Sequence, residues 1–333
     1  MPVLRPRSML GIALLGAAAL PLAACGGDEP ATEREGPTVI ATNSIVEDMV
    51  SQVGGARADV SVLVGADGDV HDFEPTPRDV AAVADADLVV QNGLELEPWM
   101  DDVLESAGGN TALVSLSDGI VALPAEGEHA DDGNEAGHSE GEEHSEGEEH
   151  SHGEADPHVW QSVPNAEAMV ENARDALIEV DPEGAETYRA NAAEYLDELA
   201  ALQRDVTSAL ESVPAERRIL VTNHDTFGYF ALEYDFGVLG DALASVTTVG
   251  GDPSAADVAA FVAEIDESGV PAIFPENTID PALIETLARE AGVAVAPPLY
   301  TDALGPRGSD GDTYVGMMRA NATTIADALG DGS

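Results

Sequence analysis

The chain contains one cysteine and no lysine. A single cysteine, Cys25, among 333 residues excludes an intrachain disulfide. All 13 basic residues are arginine, and 64 aspartates and glutamates bring the formal net charge to −51 at pH 7. Such a surface repels phosphate backbones and anionic lipid headgroups, so we expect no nucleic-acid partner. A salty habitat is the simplest explanation of the excess acid, whereas a GC-rich coding bias explains only the missing lysine.

The N-terminal segment has the features of an export signal. Two arginines precede an apolar run at residues 9–22, which is too short to span a bilayer and is typical of a secretory signal. Small residues then lead into Cys25, a pattern that resembles a bacterial lipobox, in which the cysteine is acylated. We therefore predict a lipoprotein signal peptide over residues 1–24, a membrane lipid anchor at Cys25 and a flexible tether over residues 25–37. The protein is expected at the cell surface or in the periplasm.

The rest of the chain shows an α/β pattern. Apolar strand-like runs alternate with helical patterns, which predicts parallel sheets flanked by helices. Residues 185–213 contain apolar positions spaced three and four apart and no glycine or proline, so they predict one long rigid backbone helix. We expect this helix to join two lobes, an N-terminal lobe over residues 38–184 and a C-terminal lobe over residues 214–333.

An acidic, histidine-rich insertion at residues 126–154 interrupts the first lobe. It lacks a hydrophobic pattern and is predicted to be a mobile loop. Its histidines recur beside carboxylates, which favours weak auxiliary metal capture over an inert solvated spacer. These histidines are His129, His138, His144, His150 and His152.

Outside this insertion the chain has only three histidines, His71, His158 and His224. Each lies in a segment that is predicted to connect a strand to a helix, and Asp302 offers a carboxylate in a similar setting. Ligands of open α/β sheets bind beyond the carboxyl ends of the strands, so two residues from each lobe could clamp one metal ion. Three imidazoles and one carboxylate suit zinc. Taken singly, each histidine is more often structural, and Asp302 is equally compatible with a helix or turn cap. The prediction of a metal site therefore depends on the similar setting that these residues share.

Five segments also resemble, in the same order, the metal-binding substrate-binding proteins of bacterial zinc and manganese ABC importers, the ZnuA/TroA-like family. The resemblance covers about residues 39–329 and implies two lobes, a long backbone helix and a metal ion in the cleft. It implies the same ligands, His71, His158, His224 and Asp302. Manganese-binding relatives often place a glutamate at the third position, and the acidic insertion resembles that of zinc members. The segments are VHDFEPTP at 70–77, DLVVQNGLELE at 87–97, DPHVW at 156–160, TNHDTFGYF at 222–230 and TDALG at 301–305.

The sequence therefore predicts a monomeric lipoprotein that captures Zn(II), or alternatively Mn(II), and delivers it to the membrane permease of an ABC importer. The metal is the transported ligand, and no catalytic residue is assigned. A zinc-dependent hydrolase is a weaker alternative, because the chain lacks a His-Glu-x-x-His helix and a fourth protein ligand would close the position that water needs. A surface adhesin with a structural metal is a third reading. Two nearby carboxylates receive other roles: Glu74 as a cap for the following turn and Glu276 as a structural group.

Overall fold

The computed structural model describes residues 36–125, 155–222, 224–239 and 254–330. The predicted signal peptide, the lipid anchor at Cys25 and the five histidines of the acidic insertion lie outside these ranges. None of the helices within them has both the length and the apolarity to cross a membrane.

The first lobe is built around a parallel sheet. Its first seven elements are β1 (Thr38–Asn43), α1 (Ser44–Gly54), β2 (Asp59–Val64), α2 (Pro77–Asp85), β3 (Leu88–Gln91), α3 (Met100–Ala107) and β4 (Ala112–Ser115). The four strands pair in the order β2-β1-β3-β4, and every pairing is parallel. The two central strands consist mainly of Val, Ile, Leu and Ala and are almost fully buried, as expected for a sheet covered on both faces.

The first two helices of this lobe begin at recognisable caps. Asn43 accepts the backbone N–H groups of the first turn of α1 at 3.0 and 3.1 Å. At the start of α2, the backbone N–H of Thr76 donates to Asp79 at 2.8 Å and its hydroxyl donates to the same carboxylate at 2.7 Å. The assignment of this cap to Glu74 is therefore wrong. A capping box needs a carboxylate three residues after the cap, and Glu74 precedes it.

Two long helices follow. The helix α4 (Val163–Val180) packs on α1 and on α5 (Ala185–Leu210), whose 26 residues span about 39 Å. The buried residues of α5 lie along one face, and this face packs on α4, α1 and the last helix of the chain. The prediction of one long backbone helix is confirmed. Its C-terminal end comes three residues earlier than the predicted residue 213, because the chain tightens into i+3 hydrogen bonds and then meets Pro214.

The second lobe repeats the α/β pattern with shorter strands. Its elements are β5 (Ile219–Val221), α6 (Gly228–Tyr234), β6 (Gly237–Leu239), α7 (Ala255–Ser268), β7 (Ala272–Ile273), α8 (Ala282–Ala291), β8 (Ala294–Val295) and α9 (Tyr314–Leu329). The strands form two parallel pairs, β5 with β6 and β7 with β8. The backbone N–H of Phe274 donates to the carbonyl of Val221 at 2.9 Å, so the ends of β5 and β7 adjoin.

One apolar cluster extends through both lobes. It contains side chains from the first sheet, from α5 and from the last helix, among them Val39, Leu199 and Met318, all fully buried. A second, smaller cluster fills the space between α7, α8 and the short strands. The two lobes and the long helix therefore share most of one core.

Candidate metal centre

The four predicted ligands come together in one cluster: His71, His158, His224 and Asp302. Each offers one nitrogen or oxygen atom, and these atoms all lie within 4.8 Å of one another. The three Nε2 atoms surround the Asp302 carboxylate, at 3.8 Å for His71, 3.5 Å for His158 and 3.2 Å for His224. Ligand atoms placed about 2.0–2.1 Å from a tetrahedral ion lie about 3.3 Å apart, so the three distances to Asp302 are close to those around a bound ion.

Burial differs among the four side chains. Asp302 is 3% exposed, and the side chains of His158 and His224 are 6% and 10% exposed. The His71 side chain is 33% exposed, so it lies on the solvent side of the cluster. Of the four ligands, His71 is therefore the one nearest to solvent.

His158 is held by a carboxylate two residues before it. Asp156 Oδ1 accepts the backbone N–H of His158 at 2.9 Å and also lies 2.7 Å from its ring Nδ1. This second contact leaves Nε2 to face Asp302. The next aromatic residue joins the lobes, because the indole N–H of Trp160 donates to the carbonyl of Thr301 at 3.0 Å.

His158 departs from the predicted setting. His71 follows β2 and His224 follows β5, as expected, but no strand leads directly into His158. Among the described residues, the strand that precedes it in the chain ends at Ser115, and an isolated antiparallel bridge joins Pro124 to Ala155, three residues before the ligand. After His158 comes a 3-10 turn at Val159–Gln161 and then α4. In the sequence, the acidic insertion lies between this ligand and β4. The setting of His158 was therefore predicted by analogy with the other two histidines and not from a strand pattern next to it.

His224 is held in the same way as His158, but by a distant residue. Glu276 Oε1 accepts the backbone N–H of His224 at 2.9 Å, and Oε2 lies 2.7 Å from its Nδ1. Glu276 is 3% exposed and lies in the segment that follows β7. Carboxylates in this position orient metal-binding imidazoles and fix their tautomer. The sequence separation of 52 residues leaves no local signal for the pairing.

His71 is positioned mainly through its backbone. Asp69 Oδ1 accepts the backbone N–H of His71 at 2.9 Å and that of Asp72 at 3.3 Å. The indole N–H of Trp99 donates to the carbonyl of Val70 at 2.8 Å, which fixes the loop immediately before the ligand. Sequence reasoning did not identify Trp99, which lies outside the predicted ligand segments.

Asp302 does not cap a helix. Its carboxylate faces the three imidazoles, and Thr226 donates to Oδ1 at 3.4 Å. The alternative assignment as a local cap is therefore wrong.

The ionisable side chains of the cluster shift one another's pKa values. Burial raises the pKa of Asp302, but the neighbouring histidines, His224 first, outweigh it and hold that pKa far below its usual range. Burial lowers the pKa of His224, but the charges of Glu276 and Asp302 outweigh it and place the pKa well above 6.5. For His158, burial likewise opposes the hydrogen bond to Asp156, and the net pKa is raised. For His71, burial dominates and the pKa is lowered despite Asp302.

Comparison with known proteins assigns the chain to a family. Residues 39–328 match the family described as ZnuA, zinc-uptake complex component A, periplasmic. The chain belongs to this family. It is 33% identical over 313 residues to the manganese-binding lipoprotein MntA of Halalkalibacterium halodurans, covering 93% of this chain and 95% of that protein.

Solved structures share the fold. The periplasmic zinc-binding protein TroA from Treponema pallidum is 29% identical and superposes with a TM-score of 0.76, over 89% of this chain and all of that one. A manganese-bound periplasmic metal-binding protein from Candidatus Liberibacter asiaticus is 26% identical, with a TM-score of 0.73 over 88% of this chain and 99% of that one. The expected architecture of two α/β lobes and a long helix is confirmed. Members of this family are substrate-binding proteins of transporters, so the chain is not an enzyme and the hydrolase alternative is set aside.

Proposed function

We propose that the protein is an extracytoplasmic lipoprotein that binds Zn(II) between its lobes and delivers it to the permease of an ABC importer. The proposed ligands are His71, His158, His224 and Asp302. One observation supports this assignment most strongly: three imidazole Nε2 atoms from separate segments surround a single buried carboxylate. Each of the two most buried imidazoles also has a carboxylate on its Nδ1, an arrangement that is typical of metal-ligating histidines.

Zinc is favoured by the donor set. Imidazole nitrogen outnumbers carboxylate ligands three to one, and such sets suit zinc, whereas manganese prefers oxygen ligands and a higher coordination number. Divalent zinc also binds more tightly than manganese to a given set of nitrogen and oxygen ligands.

Manganese is the second candidate. The relative from H. halodurans is named a manganese-binding lipoprotein, and the solved relative from Candidatus Liberibacter asiaticus is manganese-bound. Both oxygens of Asp302 face imidazoles, Oδ1 towards His158 and Oδ2 towards His71 and His224. A carboxylate in this position could supply two oxygens to one ion and so raise its coordination number.

The remaining assignments follow from the sequence. We propose that Cys25 carries the lipid anchor at the cell surface or in the periplasm, that residues 25–37 tether the monomer to it, and that lobes over residues 38–184 and 214–333 meet at the site. The histidines of the acidic insertion are proposed to capture metal weakly.

Binding is tested on protein purified without added metal. Elemental analysis identifies the bound ion, and competition at equal free zinc and manganese compares the affinities. We expect zinc to win at neutral pH, and His158→Ala to lower zinc affinity by on the order of 100-fold or more, since loss of a supporting residue alone costs about 10–100-fold. Glu74→Gln is the matched control, because that carboxylate is exposed and lies three residues from His71. Manganese displacing zinc at pH 7 would move the protein to the manganese alternative.

Transport is tested in metal-limited cells. Removal of the gene should abolish uptake of the preferred ion, and the His158→Ala gene should not restore it. Normal uptake without the gene would favour the adhesin alternative, in which the metal is only structural.

A further inference from the structure

The amide of Asn277 contacts the chain on both sides of the proposed ligand Asp302. Its Oδ1 accepts the backbone N–H of Thr301 at 3.0 Å, and its Nδ2 donates to the carbonyl of Ala303 at 3.1 Å. A side-chain amide offers one acceptor oxygen and two N–H donors, so these contacts require an amide and fix its orientation. Asn277 therefore fixes the backbone from which the Asp302 carboxylate projects.

Asn277 directly follows the residue that holds another ligand. Glu276 contacts the backbone and the ring of His224, so two consecutive residues support two of the four proposed ligands. Their own backbone is fixed by the backbone N–H of Asn277, which donates to the carbonyl of Leu299 at 3.0 Å.

The same amide reaches across to the first lobe. Its second Nδ2 hydrogen donates to Asp67 Oδ1 at 3.1 Å, and the backbone N–H of Asp67 donates to the carbonyl of Leu304 at 3.1 Å. The backbone N–H of Leu304 in turn donates to Ser44 Oγ at 2.9 Å. Asp67 lies in the loop that carries His71, the most exposed of the four ligands. These hydrogen bonds connect the Asp302 segment to the loop that carries the most exposed ligand.

We propose that Asn277 is a positioning residue that holds the Asp302 segment against the His71 loop and slows release of the bound ion. The inference rests on the proposed metal-binding function. An ion that leaves past His71 requires this loop to move from the Asp302 segment, and the hydrogen bond between Asn277 and Asp67 has to break in that movement. Removal of one such bond should speed release by roughly threefold to tenfold. Capture should change little, because an open loop has already lost the bond.

Three variants test the hydrogen bond between Asn277 and Asp67 separately from the other contacts of these residues. Asp67→Gly removes the acceptor without strain, because Asp67 has a φ of 55°, which glycine adopts freely. Asp67→Asn keeps an acceptor oxygen and also tolerates this φ, so it is the matched control. Asn277→Asp keeps the oxygen that accepts from Thr301 but removes both donors and places a second carboxylate beside Asp67.

The first measurement is the rate of zinc release into an excess of chelator, followed by stopped flow. Asp67→Gly and Asn277→Asp should release zinc at least threefold faster than the wild type, and Asp67→Asn should stay within about twofold. The double variant Asp67→Gly/Asn277→Asp should release no faster than Asn277→Asp alone, because both changes remove the same bond. Association rates should agree within about twofold.

The second measurement uses metal-free protein. The backbone N–H at position 67 donates across the lobes, so its hydrogen exchange reports directly on the contact. Exchange should be faster in Asn277→Asp than in the wild type. Two results would contradict the role of Asn277. One is an Asn277→Asp variant in which zinc release and hydrogen exchange are as slow as in the wild type. The other is equally fast zinc release from Asp67→Asn and Asp67→Gly. A wild-type protein that binds neither zinc nor manganese would instead contradict the proposed function.

Discussion

Glu276 contacts His224 at two points, with one carboxylate oxygen 2.9 Å from its backbone N–H and the other 2.7 Å from its ring Nδ1. Asp156 repeats this arrangement on His158, although a single oxygen makes both contacts. Each carboxylate thereby fixes the position of the backbone and the rotation of the imidazole. The site has one such support in each lobe.

The first prediction concerns this support. Glu276→Gln should lower zinc affinity by roughly 10–100-fold, because a neutral amide orients the ring less firmly and makes it a weaker electron donor. Asp156→Asn should have a similar effect, and Glu74→Gln should have none. Isothermal titration or chelator competition measures the three affinities. Zinc affinity that is unchanged in Glu276→Gln would show that the contact does not matter for binding.

The second prediction concerns the acidic insertion. Replacing residues 127–152 by a short Gly-Ser linker removes all five of its histidines. The bridge between Pro124 and Ala155 brings the flanking residues together, and the backbone N–H of Asp156 also donates to the carbonyl of Leu123 at 2.9 Å, so a short linker can close the gap. One tight zinc should remain while weaker additional binding disappears in a titration. Loss of the tight zinc would mean that the insertion contributes to the site.

The third prediction concerns pH. The hydrogen bond from Arg57, aided by that from Tyr188, lowers the pKa of Asp181 to about 2 from the ordinary 3.8. A pKa lower in the folded state means that the pair stabilises the fold fully above about pH 5 and loses this effect as pH falls towards 2. The difference in free energy of unfolding between wild type and Asp181→Asn should therefore be constant near neutral pH and shrink below about pH 4.

Urea unfolding at a series of pH values measures this difference. Asp175→Asn is the control, because Asp175 pairs with Arg174 on the surface, where its side chain is 67% exposed and solvent screens the interaction. A difference for Asp181→Asn that does not depend on pH would contradict the prediction.

The fourth prediction concerns salt. At a net charge of −51, mutual repulsion destabilises the compact state, and added salt screens it. The melting temperature of the metal-free protein should rise with ionic strength, equally in sodium and potassium chloride. The protein without the insertion has fewer carboxylates and should show a smaller rise. A melting temperature that stays flat from low to molar salt would leave the salty-habitat interpretation without support.

The sequence predicted the larger elements of the fold well. The sequence pattern predicts helices at residues 45–53, 77–84, 253–268 and 314–329, and α1, α2, α7 and α9 agree with these bounds within two residues. Long amphipathic patterns fix such helices. Four short elements were missed, α3, β4, α6 and β6, which have eight residues or fewer. Segments of this length show too few turns or alternations for periodicity to reveal them, and tertiary packing decides their structure.

The candidate site was likewise predicted only in part: the ligands were found from the sequence, and most of the residues that support them were not. The scarcity of histidine outside the insertion identified His71, His158 and His224, whereas Asp302 was assigned by its setting and by the family resemblance. The supporting residues were harder to find. Glu276 was expected to be a structural group, but nothing in the sequence indicates that it holds His224, 52 residues away. Asn277 is recognisable only once the lobes are in place.

The apolar cluster that runs through both lobes limits how the protein can deliver its cargo. Wide separation of the lobes would expose side chains such as Leu199 and Met318 to water, at a cost that rises with every buried group uncovered. The shared core therefore opposes large movements of one lobe relative to the other. Loaded and empty forms should differ mainly at the rim, and a transporter that tells them apart has to sense local changes in loop order and surface charge.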